Sequence, residues 1–215
     1  MAKTMKRAFT LIELIFIIVL IGIMSGVATS AFKEDRLSLA IYDTLEGIRY
    51  AQHMAITEHK FDPKDEGYKA KGGTPDGNFF REHWRIMFFK NASNEYGYTV
   101  WTDRNRNRTI DTGEISKDPL EKEPYNRNLS QKFEITNITF SGGCADTATT
   151  GYGATDNERI GSISFDEKGR PYIGITQTGA YQHRLLSECT ITLTHADGTV
   201  GIKIYPETGY AEIAQ

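Results

Sequence analysis

One apolar run near the N-terminus constrains this chain most. From Phe9 to Phe32 it covers 24 residues, and Glu13 is its only charged residue. As a helix the run would be roughly 36 Å long, at about 1.5 Å per residue, enough to cross a bilayer core of about 30 Å. Basic residues precede it, which by the positive-inside rule predicts a cytoplasmic N-terminus. We therefore expect a single-pass inner-membrane protein whose C-terminal part lies in the periplasm.

The junction between the basic leader and the apolar run carries a motif. Arg-Ala-Phe-Thr-Leu-Ile-Glu-Leu, at Arg7–Leu14, resembles the prepilin processing motif of type IV pilins and type II secretion pseudopilins. The resemblance implies that a prepilin peptidase cuts between Ala8 and Phe9 and methylates Phe9. The family usually has Gly where this chain has Ala8, the next smallest side chain. Either Met1 or Met5 fits as the start of the chain.

Glu13 is the predicted assembly residue. A carboxylate inside hydrocarbon costs about 2.5 to 3.5 kcal/mol on insertion scales, so it needs a compensating partner. The resemblance implies that this partner is the free N-terminal amine of a neighbouring subunit. The alternative is a carboxyl group that is protonated or that reaches the membrane interface.

A helical pattern continues beyond the apolar run. Apolar residues recur at steps of three and four from Leu37 to Ile56, which is typical of an amphipathic helix, and the pattern ends near His59. The expected fold class is α+β, a pilin fold in which one long N-terminal helix, half transmembrane and half amphipathic, packs on an antiparallel β-sheet head. The expected segments are a leader (1–8), a transmembrane or filament-core helix (9–32), an amphipathic periplasmic helix (33–60) and a β-rich head (61–215).

Short β-branched and aromatic segments separated by turn residues predict strands in the head. The predicted strands are Trp84–Phe89, Tyr96–Trp101, Phe133–Phe140, Gly161–Phe165, Tyr172–Thr176, Cys189–His195, Thr199–Tyr205 and Tyr210–Ile213. Asp197-Gly198 between two alternating segments predicts a hairpin. The stretches 164–171 and 202–210 resemble the closing hairpins of the GspH/FimT family of minor pseudopilins.

A predicted calcium loop follows the second predicted strand. Oxygen-bearing side chains occupy positions 1, 3, 5, 9 and 12 of the EF-hand spacing, and Thr109 holds the carbonyl position 7. The predicted Ca²⁺ ligands are Asp103, Asn105, Asn107, Thr109, Asp111 and Glu114. Arg108 stands where the pattern has Gly for the sharp turn, which should weaken binding. The alternative is a polar turn held by Asx hydrogen bonds.

The same loop also carries basic residues. Arg104, Arg106 and Arg108 could form a phosphate-binding patch, to which Lys168 and Arg170 would add charge. Flanking acids offset these charges, and the net charge of −3 argues against DNA as the main partner.

The chain has two cysteines, Cys144 and Cys189. If this part is exported, a disulfide is the natural expectation; two buried free thiols are the alternative.

No catalytic motif stands out. The five histidines lack metal-ligand spacing, and no nucleophile elbow or dinucleotide fingerprint appears. We therefore expect a non-enzyme: a minor pseudopilin of a type II secretion pseudopilus, with a minor type IV pilin in pilus assembly or DNA uptake as the alternative. The expected partners are other pilin or pseudopilin subunits, prepilin peptidase, the inner membrane and exported protein cargo.

Overall fold

A computed structural model describes residues 10–31, 35–107, 109–111, 113–120, 122–145, 158–174 and 182–214. The chain divides into two compact units, Met1–Asp35 and Arg36–Gln215. The first unit contains the helix α1, Leu11–Ala31. Everything described below except α1 belongs to the second unit.

The second unit combines three α-helices, one 3₁₀ helix and nine strands among the residues that the structure describes. The helices are α2 (Arg36–Thr57), α3 (Glu66–Ala70), the 3₁₀ helix Phe79–Glu82 and α4 (Leu129–Phe133). The strands are β1 (Trp84–Lys90), β2 (Tyr96–Trp101), β3 (Asn126–Asn128), β4 (Asn137–Gly142), β5 (Glu158–Phe165), β6 (Pro171–Ile173), β7 (Cys189–His195), β8 (Gly198–Ile204) and β9 (Ala211–Ile213).

The strands form two antiparallel sheets. The first has the order β3-β2-β1-β5-β6 and the second the order β4-β7-β8-β9. In the second sheet β7 pairs with β8 from Cys189↔Ile204 to His195↔Gly198, so the hairpin predicted at Asp197-Gly198 is confirmed. Pairing of Phe88 and Phe89 in β1 with β5 is shifted by a bulge.

Helix α2 packs against both sheets, because its apolar residues recur on one side. The buried residues of this side are Ala40, Ile41, Thr44, Leu45, Gly47, Ile48, Ala51 and Ala55. They share one core with side chains from both sheets. Gly47 permits the closest approach, since a Cβ there would lie 2.6 Å from Cε2 of Tyr98. The Tyr98 hydroxyl thereby reaches Asp43 on the helix and donates to its Oδ1 at 2.7 Å.

The predicted pilin fold with one long N-terminal helix is wrong. Helix α1 ends at Ala31, Asp35 is not helical, and α2 begins at Arg36. The pattern of apolar residues gave no weight to Asp35, although Asp is a poor residue inside a helix and a favoured one just before its first turn. The mixture of helix and antiparallel sheet remains.

The predicted membrane span is not supported either. Among the residues whose placement is described, no helix is long and apolar enough to cross a bilayer.

The predicted strands Tyr96–Trp101 and Cys189–His195 have the predicted ends, and most of the others are present with different ends. Positions 175 and 176 of the predicted strand Tyr172–Thr176 lie outside the described residues. The strand predicted at Phe133–Phe140 is wrong at its start, because Leu129–Phe133 is helical and the strand begins at Asn137. The side chain of Asn128 accepts the backbone N–H of Gln131 and so caps that helix.

Candidate functional site

The predicted calcium loop leaves the end of β2 and returns beside it. Trp101 forms a bridge with Ile115, and the backbone N–H of Thr102 donates to the carbonyl of Glu114 at 3.1 Å. These contacts close the loop at its base, so Asp103 and Glu114 lie at adjacent ends. Both side chains are buried.

Five of the predicted ligands are joined by hydrogen bonds inside this loop. Asp111 Oδ2 accepts the side-chain amides of Asn105 at 2.7 Å and of Asn107 at 3.0 Å. The two carboxylate oxygens of Glu114 accept the backbone N–H groups of Asn105 at 3.1 Å and Asp111 at 3.3 Å. The Thr109 hydroxyl donates to Asn107 Oδ1 at 2.6 Å. The spacing inferred from sequence therefore brings these polar groups together in space.

Burial raises the pKa of Glu114, and the nearby charge of Asp103 raises it further, while the N–H groups that Glu114 accepts act in the opposite direction. A buried carboxylate next to another acid is favoured in its neutral form unless a cation joins it. The electrostatics of this end of the loop therefore favour a positive charge.

The loop fits a calcium ion only in part. Within the described ranges, no group of three or more His, Cys, Asp or Glu side chains is arranged to hold a metal. The amide nitrogens of Asn105 and Asn107, rather than their oxygens, face Asp111. A hard cation takes oxygen ligands, so both amides would have to turn. Arg108 lies outside the described residues.

Arg106, in the middle of the loop, turns inward. Its backbone has a positive φ of 58°, and its guanidinium is buried among three carboxylates: Asp65 at 2.9 Å, Glu82 at 2.9 Å and Asp76 at 2.5 Å. The same group lies 3.8 Å from the ring centroid of Tyr68. Arg106 is thus a cation built into the protein, and it joins the loop to the segment 65–82.

This network shifts the pKa values of its members. Hydrogen bonds from Arg106, opposed by burial, hold the pKa of Asp65 at about 2; the backbone N–H groups of Gly77 and Asp76 also lower it. Burial acts to lower the pKa of Arg106, but the hydrogen bond to Asp65 and the charge of Glu82 raise it overall. Asp65 and Arg106 are therefore both charged at neutral pH.

The predicted basic patch is not presented to solvent at Arg106. Arg104 lies 4.0 Å from Glu58, and Arg170 pairs with the buried Asp166 at 2.7 Å. Lys168 is exposed. Most of the described positive groups in this set are thus already matched by carboxylates.

Sequence reasoning missed the Arg106 network. The segment 65–82 contains α3 and the three carboxylates that hold Arg106. Those carboxylates lie 24 to 41 residues before Arg106, and no local spacing pattern connects positions that far apart.

The N-terminal motif is described only from Thr10 onward, so the processing residues Ala8 and Phe9 lie outside the described residues. Glu13 lies in the first turn of α1. The large apolar side chains of α1 from Leu11 to Met24 are exposed.

The predicted disulfide is confirmed. Cys144 and Cys189 are bonded, with their Cα atoms 5.1 Å apart. The bond joins the residues just beyond β4 to the start of β7.

No protein-family model, curated protein or solved structure matches this chain.

Proposed function

We propose that this chain is a minor subunit of a pilus-like assembly, of the kind that supports protein export in type II secretion. The observation that carries the proposal is the exposed apolar surface of α1, from Leu11 to Met24, with Glu13 as its single charged residue. The prepilin-like motif at Arg7–Leu14 directly precedes and overlaps this surface.

An apolar surface of this extent marks a site of association. Association would also enclose Glu13, and a buried carboxylate must be paired or neutralised. Cleavage after Ala8 would create an amine at Phe9, which in a neighbouring subunit is the complementary charge. The role of the chain is then assembly rather than turnover, with other subunits as its partners.

The disulfide between Cys144 and Cys189 supports export of the second unit, because such bonds persist in oxidising compartments such as the periplasm. Its surfaces would there contact other minor subunits or exported cargo.

The test is to replace Glu13 with alanine in cells that assemble the filament. We expect Glu13→Ala to abolish co-purification with the assembled filament, whereas the control Ile18→Ala, at another exposed position of α1, retains most of it. Intact mass should show loss of residues 1–8 and one added methyl group. Normal incorporation of Glu13→Ala, or a working form that keeps its leader, would contradict the proposal.

The alternative is a minor type IV pilin that takes up DNA, since α1 and its motif fit both systems. Deleting the gene distinguishes the two: loss of exported protein from the medium indicates secretion, and loss of surface pili indicates a pilus. A gel shift that weakens with salt would be required for the DNA role.

We further propose that the loop Asp103–Glu114 binds Ca²⁺ as a structural ion. Support comes from the convergence of Asn105, Asn107, Asp111 and Glu114 and from the raised pKa of Glu114. The ion would neutralise these acids and stabilise the folded state by mass action. The melting temperature should rise with millimolar Ca²⁺ relative to chelator, and Asp111→Ala should lose that rise. An unchanged melting temperature would contradict this site.

A further inference from the structure

The second sheet has one face that does not join the core. Along β7 and β8, alternate residues such as Ile191 and Ile202 are buried against α2 and the first sheet. Their neighbours in sequence point the other way, because side chains alternate along a strand. We call this second surface the outer face. Its strand residues are Asn137, Thr139, Ser141, Thr190, Thr192, Thr194, Thr199, Gly201, Lys203 and Glu212, all exposed or half-buried.

The strand register arranges the outer face in rows across the sheet. One row is Ser141, Thr190, Lys203 and Glu212, and the next is Thr139, Thr192 and Gly201. Strands lie about 4.8 Å apart and successive rows roughly 7 Å apart. Each hydroxyl can both donate and accept a hydrogen bond. Gly201, at the end of the second row, has no side chain.

Two tyrosines close one end of the outer face. Tyr205 donates its backbone N–H to the carbonyl of Tyr210 at 2.9 Å, and the two rings lie 6.1 Å apart with an interplanar angle of 26°. Tyr210 is 52% exposed. The Tyr205 hydroxyl donates to Glu212 Oε1 at 2.7 Å. Pro206 and Thr208 complete an open depression of about 460 Å³ around these rings.

The charges of the strand rows compensate one another. Lys203 lies directly across from Glu212 in the register, and the other polar residues of these rows are uncharged. Nucleic acid binding requires a positive surface, which this face lacks. Hydroxyl side chains alone are ordinary on an exposed strand, because Thr favours strands; the adjoining tyrosine pair is what distinguishes this face.

We propose that the outer face binds an uncharged polysaccharide chain. The rings of Tyr205 and Tyr210 stack against each other, and the half-exposed ring of Tyr210 offers an apolar surface on which a pyranose ring can pack. Glu212 and the hydroxyls of the next rows meet the sugar hydroxyl groups, which also both donate and accept. The four-stranded sheet supplies a flat, rigid support for an extended chain, and the compensated charge favours a neutral polymer over a charged one.

This binding site goes beyond the proposed role in assembly and uses none of the residues of α1. The two proposals can therefore fail separately. Glu13→Ala should leave polysaccharide binding unchanged even where it abolishes incorporation into a filament.

The test uses the full-length chain in a polyoxyethylene detergent, because a maltoside detergent would compete as a sugar. Co-sedimentation with microcrystalline cellulose and with chitin measures binding to two uncharged β-1,4-linked polymers. We expect saturable binding to at least one of them. Tyr210→Ala should weaken that binding at least tenfold. The matched control is Tyr42→Ala, at a tyrosine that is 62% exposed on α2, and it should bind as the unchanged chain does.

A second variant, Thr192→Asp, places a charge in the hydroxyl rows without touching the tyrosines, and it should also weaken binding. Circular dichroism on each variant confirms folding. Absence of binding to both polymers overturns the proposal. The proposal is also overturned if Tyr210→Ala and Thr192→Asp bind as tightly as the unchanged chain, or if Tyr42→Ala loses as much binding as Tyr210→Ala. A preference for DNA or heparin over the neutral polymers would overturn it as well.

Discussion

Arg106 brings a full positive charge into the protein interior, where an unpaired ion is strongly unfavourable. Three carboxylates, Asp65, Asp76 and Glu82, surround its guanidinium, and Lys71 also contacts Glu82 at 3.2 Å. Because both Asp65 and Glu82 are themselves buried, each side of the network depends on the other. Removing the arginine would leave the buried Asp65 without this ion pair and Glu82 with the contact to Lys71 alone among the described residues.

We therefore expect Arg106→Gln to lower the free energy of unfolding by about 3 to 5 kcal/mol, the cost of breaking a buried ion pair from one side. Urea denaturation at pH 7 measures this. The control is Arg104→Gln, two residues away and half-exposed, which should change stability by less than about 1 kcal/mol. Equal changes in the free energy of unfolding for the two variants would contradict a stabilising role of the Arg106 network.

His83 is the second buried ionisable residue with a clear consequence. It is 2% exposed and lies between the rings of Tyr172 and Phe79. Neither ring nitrogen has a hydrogen-bond partner among the residues that the structure describes. Burial, and then the charge of Arg85, lower the pKa of His83 to about 3, although Asp166 acts in the opposite direction.

The unfolded chain takes up a proton at His83 near the ordinary pKa of 6.5, whereas the folded chain does so only near 3. Stability from this group is therefore complete above about pH 6.5 and falls as the pH drops toward 3. We expect the urea midpoint to decrease less between pH 7.5 and pH 5 in His83→Phe than in the unchanged chain. Replacing the exposed His53 with Gln should leave that fall unchanged, and an unaltered fall in His83→Phe would contradict the assignment.

At the scale of elements, one side chain of α2 joins the turns of both sheets. Gln52 Nε2 donates to the carbonyl of Gly169 at 2.9 Å and to that of Thr208 at 2.7 Å. Gly169 lies in the turn between β5 and β6, and Thr208 in the turn between β8 and β9. The sequence suggested both turns separately, but nothing in it indicated that they lie side by side.

Gly209 makes this contact between turns possible. A Cβ at Gly209 would overlap the carbonyl oxygen of Gly169, and the backbone has a positive φ of 65°. We expect Gly209→Ala to destabilise the fold by about 1 to 3 kcal/mol through this strain. Gly113→Ala, where a Cβ meets nothing within 4 Å, is the control. Thermal denaturation that shifts equally in both variants would contradict this explanation.

The alternation of apolar residues along the chain predicted the strands in which one face is buried. Strand β7 matches its predicted ends, because Cys189, Ile191 and Leu193 alternate with threonines on a half-buried sheet. Strand β3 was missed, since Asn126–Asn128 has no β-branched or aromatic residue. The break before α2 was missed because the helical spacing resumes at Leu37, and the charged residues 33–36 that interrupt it were given no weight.

The sequence likewise predicted one part of the candidate site and missed another. The close spacing of Asn105, Asn107 and Asp111 was enough to predict that they meet. Arg106 could not be assigned, because its partners reach it only when the segment 65–82 folds back onto the loop. Its side chain was therefore grouped with exposed arginines instead of with buried acids.

At the scale of the whole molecule, the disulfide spans a sequence separation of 45 residues. Chain-entropy arguments give a loop of that length about 4 kcal/mol of stabilisation. We expect Cys144→Ser combined with Cys189→Ser to lower the free energy of unfolding by up to that amount. A reducing agent should destabilise the unchanged chain by a similar amount and leave the double variant unaffected. A double variant as stable as the parent would contradict this.

Helix α2 is hydrogen-bonded to both sheets: Tyr98 of the first donates to Asp43, and Arg49 donates to the carbonyl of Ala211 in the second. Together with Gln52, these contacts are spread along more than two turns of the helix. A tensile load along the helix axis would therefore act on several of these hydrogen bonds at the same time, and they would not break one after another. A protein loaded in this geometry resists extraction as a unit.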